Sequence, residues 1–342
     1  MRSFKDLKKC FIIAEISANH GQSLERAVRM IKKAKECGAD AVKFQTYTPD
    51  TLTLDVDNRY FRVKHPEWGG QTLYQLYKKA YTPWKWFKRL KKTADNEGIV
   101  FFSTAFDKTA VDFLEDMVVP FHKIASFELV DTPLIEYMAG KKKPVLLSTG
   151  MATLPEIKNA VKTAKKAGAR EVVLLRCVSN YPADPAEMNL GVIPDMRKRF
   201  GVPVGLSDHT MSTSVSVAAV ALGACVVEKH FTLSRKTKTP DSFFSLEPSE
   251  FKDLVDNIRM TEDALRGGSY TLTPSQKRSR AFRRSLFTVK DVRKGDVFSE
   301  ENIRSIRPSY GLEPGHIGKV LGKKAKKAIK KGTPLSIDMI KK

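Results

Sequence analysis

Cysteine is scarce: Cys10, Cys37, Cys177 and Cys225 are the only four in 342 residues. None belongs to a Cys-x-x-Cys pair and each has apolar or small neighbours, which argues against a disulfide scaffold and predicts reduced, buried thiols in a cytoplasmic protein. Long apolar runs are missing too, since none reaches the ~18 residues that mark a membrane span. The N-terminal stretch carries Lys5, Lys8, Lys9 and Glu15 around a short apolar segment with no small-residue cleavage site, so export is not expected. Asn and Gln total only 13, which beside abundant lysine points to a thermophilic source. Acidic residues are outnumbered 38 to 60, for a net charge of +22. That excess is uneven, because residues 276–342 hold 19 Lys and Arg against 6 Asp and Glu. A basic tail suits nucleic acid, a membrane surface, an anionic small molecule or a solvated face. With 42% apolar and 29% charged residues the chain is far from the disordered class.

What is present is periodic. Over the first 275 residues, short apolar runs alternate with amphipathic stretches, the pattern of βα units around a parallel sheet. Eight strand candidates are Phe11–Ile16, Ala41–Tyr47, Ile99–Ser103, Phe121–Ala125, Pro144–Ser148, Glu171–Cys177, Val202–Leu206 and Cys225–His230. Between them, Ser23 can cap a helix that shows Leu24, Ala27, Val28, Ile31 and Ala34 on one face and stops at Gly38. A second helix is expected from Leu154 to Ala167. The expected fold is therefore α/β, a (β/α)8 TIM barrel followed by a small C-terminal domain. Residues 1–270 are assigned to the barrel, 271–280 to a linker and 281–342 to the second domain. Asp50 to Tyr81 is too long for a plain connector and reads as an insertion covering a ligand at the barrel mouth. Tyr81, Trp84 and Trp86 read as packing and lid contacts. In the second domain, the segments beginning at Asp291 and Ala328 form a weak pseudo-repeat, each with a Lys-Gly turn.

Each candidate strand ends in polar residues, and a purely structural barrel has no use for ionisable groups at every end, because an unpaired buried charge costs several kcal/mol. The C-terminal face should thus be an active site. Lys43 and Lys123, with Thr104, Ser126, Ser148 and Ser207, suit one phosphate. His209 and His230 end adjacent strands and either hold one divalent ion or serve as hydrogen-bonded structural residues. Glu15 and Glu128 are the acid/base candidates. A nucleic-acid-binding alternative, resting on the basic tail, lacks a recognition motif, and the tail's Phe282, Phe287, Phe298 and Tyr310 read mostly as strand-like apolar positions.

The stretches AEISANH (14–20), VKFQTYTPD (42–50), KIASFE (123–128), LSTGMAT (147–153), GLSDHT (205–210), ALGACVVEKHFTL (221–233) and FRRSLF (282–287) resemble the sialic acid synthase family. Within it, YTPDTLTLD (47–55), LYQLYKKAYTPWKWF (73–87) and PDSFFSLEP (240–248) are most similar to the pseudaminic acid synthases. The C-terminal segment, with SIRPSYGL (305–312), resembles the family's antifreeze-like (SAF) domain. The resemblance implies condensation of phosphoenolpyruvate with an N-acetylated amino sugar, 2,4-diacetamido-2,4,6-trideoxy-altrose, giving pseudaminic acid and phosphate. Synthesis of N-acetylneuraminate or legionaminate is the alternative. By residue matching it implies Mn²⁺ or Mg²⁺ on His209 and His230, and substrate contacts from Lys43, Gln45, Thr104, Lys123, Ser126, Ser148, Tyr181, Ser207 and Asp241. Glu15 matches a glutamate that contacts sugar and water. Arg307 matches an arginine that reaches the sugar across a domain-swapped homodimer. Two departures are visible: Asn19-His20-Gly21-Gln22 replaces Asn-His-Asn-Gly, and Ser179 replaces Asn.

Overall fold

A computed structural model describes residues 3–341, and the chain divides into two compact units at Arg266/Gly267. In the first unit eight parallel strands close into a barrel in sequential order. They are β1 (Phe11–Glu15), β2 (Ala41–Thr46), β3 (Val100–Ala105), β4 (His122–Ile124), β5 (Pro144–Ser148), β6 (Glu171–Cys177), β7 (Val204–Asp208) and β8 (Val226–His230). Helices alternate with them, as the apolar periodicity requires. The first spans Leu24–Glu36, is capped by Ser23 accepting from the Arg26 N–H, and buries Ala27, Met30, Ile31 and Ala34. The second anticipated helix runs Leu154–Lys166.

Only β5 and β6 have the expected bounds; β1, β2, β4 and β8 are shorter by one residue at one or both ends, and the two larger shifts, in β7 and β3, have physical reasons. β7 starts two residues late because Pro203 has no N–H to give the ladder, and its end moves on to include Ser207 and Asp208. β3 runs on through Thr104, whose partners are Gln45 on one side and Lys123 on the other.

The N-terminal end of the barrel is plugged by rings. Phe4 packs edge-on against Phe11 and Phe121 at centroid distances of 5.8 and 5.3 Å, and Phe121 lies 4.5 Å from Phe102. Glu171 fixes this plug by accepting from the Ser3 hydroxyl and the Phe4 N–H at 2.8 and 2.7 Å.

The insertion after β2 contains two helices, Pro49–Leu52 and Leu73–Ala80, the second begun by a capping box between Thr72 and Gln75. Trp84 and Trp86 pack as expected: Trp84 lies 4.6 Å from Phe113, and Trp86 meets His20 edge-on at 5.5 Å.

The second unit is built around β9 (Ser285–Thr288) and antiparallel β10 (Ile303–Ile306), with a core that includes Leu286, Phe298, Ile303 and Leu335. The pseudo-repeat is real pairing: Val292 and Ile329 exchange both backbone hydrogen bonds at 2.8 Å, and Gly295 and Gly332 turn each segment at φ of 92° and 83°. A short helix, Pro274–Ser279, occupies the segment between the domains assigned from sequence. Of the tail's aromatics, Phe287 and Phe298 are buried, whereas Phe282 and Tyr310 are exposed. The last two fall outside the strand alternation, beyond the reach of the small core. Among the described residues no helix is long and apolar enough to cross a membrane.

Candidate active site

Strand periodicity of two sends Glu15, Lys43, Lys123, Ser207 and Glu228 to the same side of the sheet, the lumen. Lys43 crosses it to reach Glu228 at 3.0 Å and Glu15 at 3.3 Å, and donates to Thr104 Oγ1 at 3.1 Å. Lys123 donates to Ser148 Oγ at 2.7 Å and lies 3.8 Å from Glu228, while Ser207 donates to Glu228 Oε1 at 3.2 Å. All of these side chains are buried.

Burial dominates their titration. It lifts Glu15 to about 7 against the pull of Lys43, with Glu228 adding repulsion. Burial would raise Glu228 as well, but Lys123 and Lys43 outweigh it and bring that carboxyl down to about 2. Burial lowers Lys123 to about 8, partly offset by Glu228. Glu228 is thus the ionised counterion of the cluster and Glu15 the group poised near neutrality. Two lysines against one firmly ionised carboxylate leave the centre positive and receptive to an anion.

Around this centre lie the other sequence-derived candidates. Gln45 Nε2 donates to Glu15 Oε1 at 2.9 Å and to Ser17 Oγ at 2.8 Å, and Ser17 in turn donates to Asp241. Gln45 and Asp241 therefore hold Glu15 by its Oε1 edge, while Oε2 accepts no hydrogen bond. Ser126 and Ser179 share a hydrogen bond at 2.7 Å. Gly150 makes room for them, because a Cβ there would lie 2.5 Å from Ser126 Cβ and 2.7 Å from Ser179 Oγ. Glu128 is half-buried, raised to about 7 by that burial, and its Oε2 is unpartnered.

His209 and His230 meet with ring centroids 5.5 Å apart. His209 Nδ1 lies 2.7 Å from the Val178 carbonyl, which fixes the ring, and the buried Nδ1 of His230 has no partner. Burial lowers His209 to about 4 and drives His230 well below its ordinary value, with repulsion from His209 next. Neutral imidazoles with an orphaned nitrogen fit a divalent ion. No cluster of three or more His, Cys, Asp or Glu with metal-holding placement occurs among the described residues, so positions would remain for water and substrate oxygen.

Tyr181 and Phe244 wall the histidines, at 4.5 Å from His209 and 4.6 Å from His230 respectively. Trp68 from the insertion covers Tyr181 at 5.6 Å and is tethered by its indole N–H to the Pro240 carbonyl at 2.6 Å. The insertion thus reaches the mouth, as its length suggested.

Three strand-end groups turn away from the site. Asp208 and Lys229 point outward and pair at 2.8 Å, with Ser216 donating to Asp208 at 2.6 Å and Lys229 donating to the Thr210 carbonyl at 2.5 Å. Their neighbours in sequence are the two histidines, so this buried pair fastens the backbone on which both imidazoles stand. His20 is structural, its Nε2 lying 3.1 Å from Thr82 Oγ1. Arg307 belongs to the second unit, where it follows β10 and is exposed. Sequence reading gave no role to Glu228, Ser17 or Trp68. Glu228 was open to detection, since it shares the inward phase of His230.

Fold and site together define a (β/α)8 barrel enzyme with a buried, cation-lined anion cradle beside a histidine pair, followed by a small β domain. Residues 30–270 match the NeuB family and residues 283–341 the SAF domain, and the chain belongs to the NeuB family. It is 46% identical over 333 residues to a pseudaminic acid synthase of Campylobacter jejuni, covering 97% of each chain. A pseudaminic acid synthase of Helicobacter pylori is 41% identical, with 96% of this chain and 97% of that one covered. Among solved structures, an N-acetylneuraminic acid (sialic acid) synthetase of Leptospira borgpetersenii matches with a TM-score of 0.71 and 33% identity, over 79% of this chain and 90% of that one. The resemblance read from the motifs is met by these relatives.

Proposed function

We propose that this chain condenses phosphoenolpyruvate with 2,4-diacetamido-2,4,6-trideoxy-altrose to give pseudaminic acid and phosphate. The observation that carries the reading is the buried Lys43 and Lys123 cradle, with hydroxyls from Thr104 and Ser148, in a chain whose full-length relatives bear the name pseudaminic acid synthase.

In this reading Lys43, Lys123, Thr104, Ser126, Ser148 and Ser207 hold the phosphate by charge-assisted hydrogen bonds. The enol carbon forms a bond to the aldehyde carbon, the double-bond pair moving into it. Water then adds to the electron-poor carbon that carries the phosphate, and its proton passes to Glu15, whose Oε2 accepts no hydrogen bond and faces the Lys43 ammonium at 3.3 Å. Gln45 keeps the other oxygen occupied and so aims the carboxylate. Glu128, raised to about 7 by burial and with Oε2 unpartnered, is the group we assign to give a proton to the new alkoxide. The C–O bond of the tetrahedral species then breaks with its electron pair going to the phosphate, which takes up the proton as the hydroxyl on that carbon becomes the carbonyl of the product. His209 and His230 would hold Mn²⁺ or Mg²⁺, which when bound polarises the aldehyde. Trp68, Tyr181 and Phe244 exclude water from that side.

The test is phosphate release with phosphoenolpyruvate and a panel of N-acetylated amino sugars. Release should require both substrates and be fastest with the altrose derivative. Faster turnover of the precursor of N-acetylneuraminate or of legionaminate would replace this assignment with that synthase. No release with any sugar would refute the reaction itself.

The same reading includes a homodimer in which one chain's second domain completes its partner's barrel. Two features support it. Leu54, Tyr60, Phe127, Met151 and Met211, all on loops of the C-terminal barrel face, are exposed apolar groups that a cover would bury. Arg307 is an exposed cation in a motif resembling the family's sugar-contacting arginine. Arg307→Ala should lower activity about tenfold or more, the cost of a charged hydrogen bond, without unfolding the chain. Mixing it with His209→Ala should restore part of the activity once subunit exchange is confirmed, because one site of the mixed dimer then has both groups. No recovery after confirmed exchange would exclude a shared site.

A further inference from the structure

Where the barrel closes on itself, its first and last strands bring two cysteines side by side. β1 and β8 pair in register from Phe11 with Val226 onward, and the Phe11 N–H donates to the Cys225 carbonyl at 2.9 Å. Cys10 and Cys225 occupy the preceding step of that ladder. Neighbouring strands stand ~4.8 Å apart, which falls inside the Cα separation that a disulfide spans.

The side chains also point the same way. Phe11 faces the lumen, where it packs on Phe121 at 6.0 Å, so residues one step earlier in each strand project outward. Both thiols accordingly line one cavity of about 600 Å³ outside the barrel wall, with Val220, Arg197, Leu265 and Arg266. Cys10 is 4% exposed and Cys225 is half-buried, so a reagent entering the cavity meets Cys225 first. The backbones that carry them are fixed: the Cys10 N–H donates to Glu262, its carbonyl accepts from Arg259 at 2.8 Å, and the Cys225 N–H donates to the Val204 carbonyl at 2.9 Å. Neither thiol has a part in the condensation.

We propose that Cys10 and Cys225 are a cross-strand dithiol that oxidises to a disulfide and so staples the seam between the first and last strands of the barrel. An azo oxidant such as diamide illustrates the step. Cys225 Sγ adds across the N=N bond, Cys10 Sγ then attacks Cys225 Sγ, the S–N bond breaks and the hydrazine leaves. The two thiols lose two protons and two electrons, which the N=N group gains. A low-molecular-weight disulfide does the same by exchange, releasing two equivalents of its thiol. Burial raises Cys225 to about 11 and Cys10 well above its ordinary value, so the pair stays protonated and reduced until an oxidant captures Cys225. The bond would close a loop containing all seven connections between the eight barrel strands, which restricts the unfolded chain heavily.

The experiment treats the full chain with diamide, alkylates remaining thiols, and maps peptides by mass spectrometry without reduction. A linked pair containing Cys10 and Cys225, two hydrogens lighter than the separate peptides, is expected. It should accompany a rise in Tm of roughly 5 °C or more that dithiothreitol reverses. Cys225→Ser should abolish both effects and keep phosphate release, whereas Cys37→Ser should change neither. Recovery of Cys10 and Cys225 as separately alkylated peptides from the wild-type chain would overturn the proposal, as would links to Cys37 or Cys177 or links only between chains. A Cys10–Cys225 link without a Tm rise would refute the stapling.

Discussion

Exhaustive chelation is expected to bring phosphate release to background, with recovery on adding Mn²⁺ or Mg²⁺, and His230→Ala to lower it at least ~100-fold, about 3 kcal/mol of barrier. The expectation starts from the two rings. Both are neutral because burial disfavours the charged form, and a neutral imidazole is the form that binds a metal. One is oriented by the Val178 carbonyl, and the other carries a buried nitrogen with no hydrogen-bond partner, a cost that a bound ion would remove. Chelated protein should be assayed for residual metal as well as turnover. Full activity at a metal content far below one ion per chain would end the case for the histidine pair as a metal site.

Lys123→Ala should raise KM for phosphoenolpyruvate about 30-fold, some 2 kcal/mol, and leave KM for the sugar nearly unchanged. Lys123 is the cleaner of the two lysines to remove. Lys43 lies between Glu15 and Glu228, and its loss would leave two buried carboxylates facing each other, so the fold itself would suffer. Lys123 touches Glu228 only at 3.8 Å and spends its hydrogen bonds on Ser148 and the Ile124 carbonyl. Because burial has lowered Lys123 to about 8, the wild-type KM for phosphoenolpyruvate should also climb as pH rises past that value. The alanine variant should lack that climb. Steady-state kinetics across pH with each substrate varied in turn reads both effects, and an unchanged KM in the variant would remove Lys123 from the phosphate site.

Much of this site was legible because barrel geometry is regular. Strand ends could be located from apolar periodicity, and Lys43, Thr104, Lys123, Ser148 and Ser207 converge where that periodicity sends them. What stayed hidden depended on phase and on distant loops. Asp208 and Lys229 stand at strand ends like the members of the site, yet they are one residue out of phase with Ser207 and Glu228 and so face the helices. Gln45 and Asp241 are nearly two hundred residues apart and meet only through Ser17, which itself adopts a positive φ of 45°. Trp68 sits in an insertion without periodicity, so no pattern could announce that it covers Tyr181. The order within the lysine cluster was equally out of reach, since which carboxylate stays ionised depends on distances of a few ångströms between four strands.

The aromatic plug formed by Phe4, Phe11 and Phe121 makes the barrel a vessel with a single opening. Traffic through it is therefore exclusive. Two substrates, a water and two products must all use the mouth beside Trp68, and none can leave by the floor while another arrives from above. A molecule of phosphate or finished sugar acid still inside is an obstacle to the next cycle as well as a competitor for its contacts. The loops of the mouth, and the Trp68 tether to Pro240 that holds one of them, therefore stand on the only path of arrival and departure that the plug leaves.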